Sequence, residues 1–109
     1  MGKKSRTKGH SFERKIAQEF RRIYPEAQRQ LEYQLNQCQG VDLKNTGPFK
    51  IQCKCKKSYS PINAIEEIKA EGIKMLVTKA DRKAAVACLY LDDLLDILED
   101  IGNAYVGKQ

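Results

Sequence analysis

The sequence predicts one α/β domain: a helix, three strands, a helix, two strands and a last helix, with the five strands in one central mixed sheet and the helices flanking it. Three observations carry this expectation. Apolar residues recur at helical spacing near both ends of the chain, and between them run short apolar or alternating segments separated by Gly- and Pro-containing turns. A length of 109 residues suffices for a single hydrophobic core and not for two.

Residues 1–9 are polar and basic and read as a flexible arm ahead of a domain covering residues 10–109. Ser11 is placed to cap a helix that runs to about Tyr24 and is ended by Pro25. Phe12, Ile16, Phe20 and Ile23 form its apolar stripe, with Glu13, Arg14, Lys15 and Arg22 off it. A strand over residues 27–35 and a polar connector over 36–40 lead to a hairpin spanning 41–57. Its turn is Asn45-Thr46-Gly47-Pro48, where glycine tolerates positive φ and proline separates the two runs. On the return strand Ile51, Cys53 and Cys55 alternate with Gln52, Lys54 and Lys56, which sends the first set to a buried face and the second to a polar one.

Ser60-Pro61 is a helix start, with serine as cap and proline at the first position. Ile62, Ile65 and Ile68 make that helix's inner edge and Gly72 its stop. Residues 74–78 and 84–91 read as strands around the turn Asp81-Arg82-Lys83. Asp92 caps the last helix, whose Leu94, Leu95, Ile97, Leu98 and Ile101 are expected to pack inward before Gly102.

Lysine and arginine number 20 against 14 acids, a formal charge of +6. The excess is uneven. Lys3, Lys4, Arg6 and Lys8 precede any acid, while Asp92, Asp93, Asp96, Glu99 and Asp100 collect near the end. A basic front and an acidic back suit a nucleic-acid-facing surface with a solvated rear. No apolar run approaches a membrane span and the N-terminus lacks an apolar export segment, so a cytoplasmic site of action is expected, the host cytoplasm if the chain is phage-encoded. Cys38, Cys53, Cys55 and Cys88 form no Cys-x-x-Cys pair and His10 stands alone, which argues against zinc; the strand cysteines read as small buried hydrophobes.

Singly, the polar residues of the hairpin have ordinary explanations. Asp42 suits a turn, Lys54 and Lys56 a solvated strand face, and Glu13 the first turn of a helix. Together they are more specific, because a rigid hairpin can hold a carboxylate, an amide and an ammonium side by side. Lys8-Gly9-x-x-Phe12-Glu13-Arg14 opens the first helix, Gly40-Val41-Asp42 begins the hairpin, and Gln52-x-Lys54 lies on its return strand. In that order the chain resembles the PD-(D/E)xK nuclease superfamily, and within it the small archaeal and phage-type Holliday junction resolvases. The resemblance spans roughly residues 8–98.

This resemblance implies a restriction-endonuclease-like fold and a Mg²⁺-dependent endonuclease, with Mn²⁺ as a substitute, that resolves four-way DNA junctions as a homodimer. It implies that Asp42, Gln52, the backbone carbonyl of Cys53 and Glu13 serve the metal, Glu13 often through water. Lys54 would position the attacking water and offset transition-state charge. Lys3, Lys4, Arg6, Lys8, Arg14, Lys56 and Lys57 are the expected DNA contacts. The chain departs from the pattern at three points: Val41 stands where the family has proline, neutral Gln52 where it has a second acid, and Cys53 and Cys55 where such a strand usually carries aliphatic residues. The missing charge lowers metal affinity or calls for help from another acid, for which Glu32 is a candidate. Two alternatives remain open, a DNA-binding module that keeps the fold without catalysis and a small basic RNA-binding protein.

Overall fold

A computed structural model describes residues 2–30, 40–55 and 60–106. The element order is the expected one. Helix α1 (Gly2–Phe20) is followed by strands β1 (Gln28–Arg29), β2 (Leu43–Lys44) and β3 (Phe49–Lys54). Helix α2 (Pro61–Glu66), strands β4 (Ile73–Thr78) and β5 (Val86–Leu89), and helix α3 (Leu91–Val106) complete it.

The strands do not form one five-stranded sheet. β1 and β2 pair antiparallel as a two-stranded sheet, and β3, β4 and β5 form a three-stranded sheet in that order. β4 lies parallel to β3, with Ile51 opposite Met75, and antiparallel to β5, with Leu76 opposite Cys88. A parallel pair needs a crossover, and α2 provides it. The two arms of the predicted hairpin do come together, but through the donation from Asp42 N to Ile51 O at 2.8 Å rather than a continuous ladder. β2 pairs instead with β1, beside which Gln30 N donates to Asp42 O at 2.8 Å. The expected first strand is partly seen, since residues 31–39 lie outside the described residues together with Glu32 and Cys38.

Two clusters build the core on opposite faces of the larger sheet. Phe12, Ile16 and Ala17 of α1 pack with Leu43, Ile51 and Val77, supported by Phe20, Phe49, Cys53, Cys55 and Met75. Ala64 and Ile65 of α2 pack with Leu76 and Cys88. Alternation along β3 therefore directs Ile51 and Cys53 toward α1, and leaves Gln52 and Lys54 on the side of α2. Ser60 caps α2 as expected, its hydroxyl accepting from Asn63 N at 3.2 Å, with Pro61 at the first position. The helix ends earlier than Gly72, with Glu67 at its C-cap.

Several expectations are corrected. α1 starts at Gly2, so the basic segment continues the helix and Ser11 lies inside it rather than capping it. The lysines and arginine there are good helix formers, and an uninterrupted helix satisfies the backbone without a cap at residue 11. The side chains of Lys3, Lys4, Arg6 and Lys8, and residues Lys56 and Lys57, are outside those described. Ile23 and Ile62, each 68% exposed, do not join the core: Ile23 follows the end of α1, and Ile62 sits in the first turn of a helix too short to bury it. Leu94, Leu95, Leu98 and Ile101 are exposed rather than packed inward, because no strand or helix packs extensively over that face among the described residues. Asp92 falls within the first turn of α3 rather than capping it. No described helix is long and apolar enough to cross a membrane.

Candidate active site

The site forms where the segment before β2 meets the middle of β3. The turn between them is tightly determined. Thr46, 3% exposed, donates its hydroxyl to Phe49 O at 2.9 Å, and Phe49 N returns a bond to Thr46 O at 3.2 Å. Asn45 and Gly47 both have positive φ, and the Tyr24 ring packs where a side chain at Gly47 would project. This closure puts Asp42 against β3, where its Oδ2 accepts from Cys53 N at 2.8 Å. The carboxylate is thereby fixed at the edge of the strand, between the helices above and below the sheet.

Burial raises the Asp42 carboxyl to about 6, the Cys53 amide opposes that rise, Glu13 adds to it, and Lys54 and Arg29 counter it. The effects of Glu13, Lys54 and Arg29 on this one group mark them as its neighbours. Glu13 comes from α1 and is held by Arg29, whose Nε donates to its Oε1 at 3.1 Å. From β3, Lys54 Nζ donates to Glu67 Oε1 at 3.3 Å, and Gln52 Nε2 donates to the same oxygen at 3.2 Å. Gln52 is only 7% exposed, so its side chain is buried rather than displayed on an open polar face. Among the described residues its Oε1 is buried with no hydrogen-bond partner. A buried amide oxygen left unpaired costs about 1–3 kcal/mol, so this atom is an acceptor in need of a donor or a cation.

Glu13, Asp42, Gln52, Cys53 and Lys54 are thus gathered from α1, the β2 approach and β3. Arg14 is exposed on α1. Two participants go beyond the sequence-based expectation. Arg29 lies in the stretch whose strand limits sequence patterning leaves loose, and Glu67 accepts from both Gln52 and Lys54. The signal for Glu67 is the Ser60-Pro61 helix start, which puts residue 67 at the end of a short crossover helix; only the return of that helix over β3 brings it to Lys54. Gly40 secures the approach. Its φ is +83, and a Cβ there would strike the Glu67 carbonyl and come within 3.2 Å of Ile68 Cα.

Among the described residues no three His, Cys, Asp or Glu side chains converge to hold a metal by themselves. The donors on hand are instead mixed oxygens: the Asp42 carboxylate, the unpartnered Gln52 amide oxygen, backbone carbonyls and the nearby Glu13. Such a set fits a hard cation that keeps several waters, and the raised Asp42 carboxyl and the orphaned Gln52 oxygen are each features that added positive charge relieves. The Cys53 thiol suits no such role. Burial above all, then Asp42, Glu13 and Cys55, pushes it far above the ordinary thiol range, so Cys53 would contribute through its backbone. Without charge from a cation, the same cluster is a carboxylate, an amide and an ammonium held rigidly on a sheet edge. No protein-family model, curated protein or solved structure matches this chain.

Proposed function

We propose that the protein is a Mg²⁺-dependent endonuclease acting on branched DNA, with four-way junctions as its preferred substrate and a homodimer as its working form. The observation that carries the reading is Asp42 held by the Cys53 amide with Glu13 and Lys54 near enough to act on its charge, and on the same strand a buried Gln52 Oε1 that has no hydrogen-bond partner among the described residues. Asp42, Gln52 and the Cys53 carbonyl would hold the ion, with Glu13 reaching it through water and Mn²⁺ able to replace it. The ion, when bound, supplies Lewis-acid polarisation of the phosphate and acidifies water for attack.

The chain's own residues do the rest. Asp42, restrained by the Cys53 amide, offers its carboxylate in one orientation and needs little reorganisation on binding. Lys54 orients the attacking water and offsets negative charge growing on the phosphate. Glu67 holds the Lys54 ammonium and, by accepting from Gln52 Nε2, turns the amide so that Oε1 faces away from it. Arg29 restrains Glu13 in the same fashion. DNA phosphates would meet the basic side chains of α1, Arg14 and Lys15 among them, and a shallow cleft lined by Ser11, Phe12, Lys15, Cys55, Lys79 and Asp81 adjoins that helix. Lys3, Lys4, Arg6, Lys8, Lys56 and Lys57 are further proposed DNA contacts.

A DNA-binding module without catalysis is the second reading, favoured by the neutral Gln52 and, among the described residues, the lack of a third converging acid. The test is the purified chain on a labelled four-way junction, its matched duplex and an RNA of equal length, with and without Mg²⁺. Paired incisions in the junction only with Mg²⁺ are expected. Tight junction binding without incision in Mg²⁺ or Mn²⁺ would establish the second reading, and preference for the RNA would remove both.

A further inference from the structure

Helix α3 carries an apolar stripe that no element buries among the described residues. Leu91 is 65% exposed, Leu95 and Leu98 50%, Ile101 56% and Leu94 36%. The edge strand β5 and the residue after it extend the patch through Val86 at 53% and Tyr90 at 40%. Among the described residues no other element packs extensively on α3; the molecule measures 56 × 26 × 25 Å. Its radius of gyration is 15.0 Å, against about 13 Å for a compact chain of this size.

From this surface we infer that α3, with the edge of β5, is the contact through which two copies of this chain associate. Leu91, Leu94, Leu98 and Ile101 follow one another by three, four and three residues, the alternation of a helix-pairing seam. The positions flanking the seam are Leu95, Ile97 and Gly102, and none is charged. Every acid of the segment, Asp92, Asp93, Asp96, Glu99 and Asp100, falls on the remaining face. Two such helices can therefore meet without opposing carboxylates, whereas a basic partner would find no acid beside the seam to recognise. That charge placement selects a second copy over a cationic protein.

The area agrees. The exposed parts of these side chains amount to on the order of 600 Å² per copy, so a pair removes ~1,200 Å² from water, within the range of specific interfaces. Exposed apolar area of that size, if gathered on one face, sits at the upper limit of what monomers display. A two-fold pair leaves the acidic faces in solvent and α1 of each copy open to a ligand. This deepens the homodimer part of the proposed function by naming its surface; because the readout is mass and cross-linking, its failure is distinguishable from failure of the nuclease reading.

Sedimentation equilibrium of the full chain across micromolar concentrations, without DNA or metal, is the experiment. Wild type should approach twice the 12.4 kDa chain mass. Leu98→Glu should weaken association by about 30-fold or more, the scale for losing a central apolar anchor. Its far-UV spectrum should report a folded chain, since Leu98 takes no part in the core. A second variant covers the case in which Leu98→Glu misfolds: Leu94→Cys should form a covalent dimer on mild oxidation in excess of any from the native cysteines. A monomeric wild type, an unweakened folded Leu98→Glu chain, or no excess cross-linking by Leu94→Cys would each overturn the inference.

Discussion

Asp42 carries a conflict between stability and chemistry. Its carboxyl is raised from 3.8 to about 6, first by burial, so the folded chain binds a proton more readily than the unfolded chain between those values. The sign follows: the contribution to stability is full below the unfolded value and is lost as pH rises through about 6. The two values differ by an amount equivalent to ~3 kcal/mol, an upper figure for what ionising Asp42 costs the metal-free fold. Asp42→Asn keeps an acceptor for the Cys53 amide and removes that cost. Thermal unfolding at pH 8 without metal should show the variant more stable than wild type, and the difference should vanish near pH 4. A variant less stable than wild type at pH 8 would contradict the account of Asp42.

Gln52 presents the converse case. Its amide donates to Glu67, so Gln52→Glu sets two carboxylates together and should lower the metal-free melting temperature at pH 8. Mn²⁺ should then raise that temperature more in the variant than in wild type, which differential scanning fluorimetry reads directly. An equal metal response in both proteins would mean that residue 52 does not face the ion. The alternation around Gln52 and Lys54 is legible in sequence because period two depends only on neighbours. The burial of Gln52 is not, since it depends on α2 lying over that face of the sheet.

At the scale of elements, short-range signals are legible and pairings are not. Ser60-Pro61 sets the start of α2, and the positive-φ glycine of the 45–48 turn is visible, because each is decided by a few adjacent residues. The division of the strands into two sheets turns on β2 pairing with β1 rather than with β3 along its length, a choice between distant partners that no local pattern encodes. The start of α1 is a further difference and can be tested. Gly9 has open space around it, so Gly9→Ala within a continuous helix should stabilise by about 0.5–1 kcal/mol in urea unfolding. No gain would indicate that the helix begins after residue 9. Gly40→Val should do the reverse, costing ~2–4 kcal/mol, because both its positive φ and the nearby Glu67 and Ile68 backbone forbid the side chain.

Over the whole molecule, the excess of positive charge and its concentration toward the N-terminus are plain in the sequence, as are the acids of α3. What the pattern of α3 does not disclose is where its apolar stripe goes: the periodicity is the same for a helix packed on its own sheet and for one that meets another chain. The buried clusters are correspondingly carried by α1, α2 and the strands. DNA binding is expected to be strongly salt-dependent, and deleting residues 1–8 should flatten the plot of log affinity against log salt by about 0.9 for each phosphate the shortened chain no longer neutralises. An unchanged slope would remove that segment from the interface.

The central claim is that Asp42 and Lys54 act on a phosphodiester from one rigid strand edge. Single-turnover cleavage of a labelled four-way junction in Mg²⁺ tests it most directly, comparing wild type with Asp42→Asn and Lys54→Ala at saturating protein. Both variants should lose cleavage by about 100-fold or more, the scale for removing a group that stabilises developing charge, while junction affinity stays near that of wild type. Cleavage at the wild-type rate by either folded variant would contradict it.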